Sequence, residues 1–153
     1  MEKRSTLENK RETAPIAEMI PVIEAAVENG KSVEMTVTGN SMLPLLKDRI
    51  SSVRLAKPEV PEKGDIVLYR RDDGHYVLHR IAAIHDGLYD IIGDNQWAKD
   101  RNVPGKDILA RVTAYSRDGR QWKKQDNLYR TMLPVIKMLR RVKRKFSTII
   151  KGK

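Results

Sequence analysis

Residues 32–44 read SVEMTVTGNSMLP, and the reading of that stretch decides the rest of the chain. Val33, Met35 and Val37 alternate with Glu34, Thr36 and Thr38, the period of a half-buried strand. The run then enters a Gly-Asn turn that carries Ser41, with Met42 behind it and Pro44 three positions on. A serine in such a turn ordinarily satisfies nearby backbone groups. It becomes a nucleophile only where a base removes its proton, so the question passes to the residues around it.

On the N-terminal side, Ile16, Ile20, Ile23 and Val27 recur at helical spacing, and Gly30 stands where a left-handed cap belongs. Pro21 inside this segment predicts either a helix that starts near it or a kink. Residues 1–14 are polar and aperiodic. On the C-terminal side, short runs follow: ISSVRL from Ile50, DIVLYR from Asp65, YVLHRIAAI from Tyr76, LYDIIG from Leu88 and ILARVTAY from Ile108. Turn-forming stretches such as KPEVPEKGD, RDDGH, HDG, GDNQ and PGKD separate them. Short strands at this spacing predict a mainly β fold, an antiparallel sheet or open barrel. YRRDDGHYVLHR predicts a hairpin turning at Asp73-Gly74, which would set Tyr69 and His79 on neighbouring strands.

The 153 residues suffice for one core, and three parts are expected: 1–30, polar terminus and helix; 31–116, the β domain; 117–153, a basic segment. The formal charge of +10 is confined to that last part. Residues 117–153 carry 13 Lys and Arg against Asp118 and Asp126, or +11, and residues 1–116 carry 17 against 18, or −1. After Pro134 the pattern is again helical: Val135, Ile136, Leu139, Val142, Phe146, Ile149 and Ile150 share one face, and Lys137, Arg140, Arg141, Lys143, Arg144 and Lys145 cover the rest.

No cysteine is present, which removes disulfides, thiolate metal sites and cysteine nucleophiles; with three histidines a structural zinc site is not expected either, and no metal or cofactor is. The apolar runs fall short of the roughly 20 residues of a membrane span, and MEKRSTLENKRETAP lacks the apolar core of a secretory signal. A cytoplasmic location follows as the expectation. Candidate bases for Ser41 are His75, His79 and His85. His75 and His85 border turns, whereas His79 sits in the middle of an apolar strand, where neighbours hold it and can suppress its charge.

The ordered set SM-x-P, KGDIVLY, LHRI, IIGDNQWAKD and ILARVTAY, across roughly residues 33–115, resembles the type I signal peptidases, and more closely their serine-histidine branch. The resemblance implies a serine endopeptidase acting through an acyl-enzyme. It makes Ser41 the nucleophile, His79 the general base and Asp100, six residues after the aspartate of Gly93-Asp94-Asn95, the orienting acid, with Asp94 close beside it. Gly64 and Asp65 are expected to form a structural turn. The chain departs from that family in having a soluble amphipathic segment before the SM box, Gly39 where many bacterial members have serine, and LKDRISSV after the box.

The self-cleaving SOS-type repressors share the fold but use a lysine where this chain has His79, and neither an Ala-Gly nor a Cys-Gly dipeptide occurs here. The alternative is a catalytically inactive module of the same fold that binds an anionic membrane or a partner peptide. Partners are therefore a peptide or protein substrate and, through the C-terminal helix, an anionic surface at the inner membrane. Lipid is favoured over nucleic acid because the basic charge accompanies a continuous apolar face and few aromatics, and no specific nucleic acid is expected.

Overall fold

Helix α1 spans Ile16–Glu28 and runs through Pro21, which occupies its second turn and removes one backbone donor. Ile20, Ile23 and Val27 form its buried stripe. Each fully buried aliphatic of this size contributes about 1.5–3 kcal/mol. The helix ends at Asn29, and Gly30 takes the left-handed conformation, φ 69°, with Gly30 N–H donating to the Val27 carbonyl and Lys31 N–H to that of Ala26. The structure is a computed structural model, and it describes residues 15–125, 134–135, 137–139 and 141–145.

Among the described residues eight strands follow: β1 Val33–Thr36, β2 Ser52–Ala56, β3 Ile66–Arg70, β4 Tyr76–His85, β5 Leu88–Ile92, β6 Asp100–Pro104, β7 Ile108–Ser116 and β8 Trp122–Lys124. They form one antiparallel sheet in the order β1-β2-β7-β3-β4-β5-β6, with β8 paired to β7. Five of the expected runs are β2, β3, β4, β5 and β7, and SVEMTVTG holds β1. β6 was not foreseen: DRNVP has low strand propensity, contains Asn102 at φ 57° and ends in proline. It survives as an edge strand, pairing with β5 alone. PGKD, read as a turn, contains a short 3-10 helix, Gly105–Asp107.

β3 and β4 form the expected hairpin, with Arg70 opposite Tyr76 and Gly74 at φ 85° in the turn. Val67 pairs with His79, so Tyr69, two residues on, lies diagonally across from the histidine on the same face. That face builds a core of Val67, Tyr69, Ile81, Ile91, Val103 and Ile108. His79 stands on that same face, opposite Val67, and is buried.

The chain divides into two compact units, Met1–Lys123 and Lys124–Lys153. The described residues of the second are helical over 134–135, 137–139 and 141–145. Of the amphipathic pattern expected there, Ile136, Arg140, Phe146, Ile149 and Ile150 lie outside the described residues, as do the polar residues 1–14. No described helix is long and apolar enough to cross a membrane.

Candidate active site

The backbone turn bearing Ser41 is clasped by residues distant in sequence. Gly39, at φ 85°, donates its N–H to Asp48 Oδ1 at 2.8 Å. Asn95 N–H donates to the Ser41 carbonyl at 2.8 Å, and Asn95 Nδ2 donates to the Asn40 carbonyl at 3.1 Å. Gly93 packs so closely that a Cβ there would lie 2.8 Å from the Ser41 carbonyl oxygen. Thus Gly93 and Asn95 flank Asp94 and fix the turn that carries Ser41 between them.

Asp94 is committed elsewhere. Arg80 donates from Nε to Oδ1 and from Nη2 to Oδ2 of Asp94, each at 2.9 Å, and from Nη1 to the Gly64 carbonyl at 2.7 Å. Both side chains are 3% exposed. This bidentate pair ties β4 to the turn before β3 and to the loop that clasps Ser41. Gly64 and Asp65 do form that turn: Gly64 N–H bonds the Ile81 carbonyl, and Asp65 Oδ2 accepts from Glu62 N–H.

His79, 4% exposed, and Ser41 line the same cleft of about 220 Å³. Ile16, Met35, Val37, Met42, Val77 and Leu78 give this cleft an apolar wall, and Thr38 adds a hydroxyl. The hydrogen bond of the His79 ring runs to the Tyr69 hydroxyl, 3.3 Å from Nδ1, and not to Ser41. The tyrosine hydroxyl donates in turn to Asp100 Oδ2. Arg71 closes the series, with Nε 2.8 Å from Asp100 Oδ2 and Nη2 2.9 Å from Oδ1. Asp100, the orienting acid that the resemblance implies, therefore stands one hydroxyl away from the imidazole, and Tyr69 occupies the intervening position.

Burial is the main electrostatic influence on His79: it lowers the imidazole pKa to about 4, with the Asp100 charge opposing it and Arg71 adding to it. Burial raises the Asp100 carboxyl, but the Arg71 and Tyr69 hydrogen bonds outweigh it and hold the group below the usual carboxylate range. Burial and the bond to Asp100 raise the Tyr69 hydroxyl far above its ordinary value. At neutral pH the three groups are thus a neutral imidazole, a neutral phenol and a carboxylate.

Of the residues singled out in sequence, Ser41 and His79 share the cleft, Asp100 joins His79 through Tyr69, and Asp94 belongs to the Arg80 pair. The other histidines lie apart at exposed positions, His75 beside Asp73 and His85 bonded to Asn102. Tyr69 and Arg71 were not named as site residues, although the hairpin register already put Tyr69 on a strand beside His79. Among the described residues no group of three or more His, Asp or Glu could hold a metal ion.

A search among curated proteins finds no match. Comparison with family models matches residues 5–113, well over half of the chain, to the description Peptidase S24-like. That family takes in serine peptidases like the SOS repressors and like the signal peptidases, the two groups the ordered sequence boxes resemble. With the antiparallel sheet, the N-terminal helix and the SM turn all in place, the chain belongs to the Peptidase S24-like family and carries its peptidase fold.

Proposed function

We propose that the protein is a serine endopeptidase of the signal-peptidase kind, with Ser41 as nucleophile and His79 as general base. The observation that carries this reading is the single cleft lined by both side chains, in which burial keeps the imidazole neutral. Ser41 Oγ attacks a peptide carbonyl carbon while its proton passes to His79; the proton then leaves with the departing amine, and water releases the acyl group as a carboxylate. Gly39 N–H is already bonded to Asp48, so the developing oxyanion falls to the Ser41 backbone amide and the Thr38 hydroxyl. No hydrogen bond joins Ser41 to His79 in the free protein, and substrate binding is expected to draw the pair together. Treatment with a fluorophosphonate probe followed by peptide mass spectrometry should find the adduct on Ser41. Labelling that survives Ser41→Ala contradicts the assignment.

We further propose that the C-terminal helix holds the enzyme at an anionic membrane surface. Val135, Met138, Leu139 and Val142 recur at helical spacing and are 45–59% exposed, among exposed Lys137, Arg141, Lys143, Arg144 and Lys145. Each cation near anionic lipid adds on the order of 1 kcal/mol before screening. Co-sedimentation with anionic and neutral vesicles, for the full chain and for a chain ending at Gln125, tests it at low and high salt. Equal binding by both chains, or indifference to lipid charge, overturns it.

A further inference from the structure

Three groups stand in series behind the base, and their proton inventory has one solution. Arg71 contacts both oxygens of Asp100, so this carboxylate is charged and can only accept. Tyr69 has one hydroxyl proton, and Asp100 takes it. The Tyr69 oxygen then faces His79 Nδ1 at 3.3 Å with only lone pairs to offer. A second lone pair on Nδ1 would be repelled, whereas an N–H there donates. We infer that Tyr69 is a positioning residue: its hydroxyl, polarised by Asp100, fixes His79 as the Nδ1–H tautomer and leaves the Nε2 lone pair for the cleft shared with Ser41. The catalytic consequence rests on the peptidase reading above; the tautomer does not.

The register that places Tyr69 diagonal to His79 makes the link rigid. Tyr69 is fully buried, its ring centroid lies 6.1 Å from that of His79, and it sits in the β3–β6 core among Val67, Ile81 and Val103. The charged groups influencing the imidazole are Asp100, Arg71 and Asp94, the last already paired with Arg80. A phenol between imidazole and carboxylate also keeps the negative charge one hydrogen bond away from the ring. The base is oriented without a direct ion pair to raise its proton affinity, which agrees with its lowered pKa.

Long-range ¹⁵N–¹H NMR of the imidazole side chains reads the tautomer directly, with His79→Gln assigning the signal among the three histidines. At pH 7 the wild type should show Nδ1 protonated and Nε2 bare. Tyr69→Phe keeps the ring and removes the oxygen; it should lose that preference and slow fluorophosphonate labelling of Ser41 by roughly tenfold or more, a part of the about 10²–10⁴-fold that general-base assistance supplies. Asp100→Asn should turn its amide oxygen to Arg71 and its NH₂ to Tyr69, redirect the tyrosine proton to His79 and invert the tautomer to Nε2–H. If circular dichroism shows Tyr69→Phe unfolded, Asp100→Asn decides, because that side chain is 24% exposed and tolerates the change. An Nε2–H tautomer in the wild type, or an Nδ1–H tautomer unchanged in the folded variants, overturns the inference while leaving Ser41 labelling to judge the peptidase. A wild type that shows the Nδ1–H tautomer, lost in Tyr69→Phe, but never labels at Ser41 upholds the inference and removes the peptidase reading.

Discussion

Asp94 and Asp100 lie six residues apart, carry the same side chain, and each meets an arginine, yet they sit in opposite kinds of environment. Asp94 is sealed with Arg80 in a pair 3% exposed on both sides, and the loop that carries it grips the Ser41 turn. Asp100 opens the edge strand β6, is 24% exposed, and spends its two oxygens on Arg71 and on the hydroxyl that contacts His79. The first holds the turn that carries Ser41, and the second bonds the hydroxyl that meets His79. A buried charge that loses its partner is left uncompensated, whereas a half-exposed one can turn to water, so stability should track Asp94 and chemistry Asp100.

The largest effect on stability is expected at Asp94→Ala, which strands the Arg80 guanidinium and should cost about 3–5 kcal/mol. Urea unfolding measures it, and Asp100→Asn in the same assay should cost much less. Equal losses at the two sites erase the distinction.

Next comes the pH dependence conferred by His79. Its folded pKa of about 4 lies below the ordinary 6.5, so between those values the unfolded chain binds more protons than the folded one. Stability from this group is therefore complete above about pH 6.5 and falls as the pH drops towards 4, by up to about 3 kcal/mol. Comparing the slope of unfolding free energy with pH for wild type and His79→Gln isolates the term: the variant should be flatter in that window.

Gly93→Ala should cost about 1–3 kcal/mol, because the added Cβ meets the Ser41 carbonyl oxygen at 2.8 Å and the backbone must move. Its signature is a Ser41 labelling rate reduced together with stability, unlike Asp100→Asn. Smallest is Glu34→Gln: its bond to Arg54, 2.6 Å between partners 53% and 39% exposed, is a surface pair. Thermal unfolding should register less than about 1 kcal/mol. A loss as large as that at Asp94 would mean burial is not what separates these ion pairs.

The sequence made the β architecture legible wherever apolar alternation met turn residues, as in SVEMTVTG and the hairpin YRRDDGHYVLHR. It failed at DRNVP, whose strand is held by pairing with β5 and not by its own propensity. That failure hid part of the site, because the same edge strand delivers Asp100 to Tyr69. Nothing in the run from His79 to Asp100 signals which aspartate returns towards the histidine and which turns to Arg80. Tyr69 was placed beside His79 by hairpin register alone; its role depends on a hydroxyl proton that only the Asp100–Arg71 contact directs.

The central claim is that Ser41 is activated by the neutral imidazole of His79, and the pH dependence of fluorophosphonate labelling at Ser41 tests it most directly. Labelling should switch on as the pH rises through about 4, hold level through neutrality, and vanish in both Ser41→Ala and His79→Gln. An adduct absent from Ser41 in the wild type, or a rate at Ser41 indifferent to the loss of His79, would contradict the account.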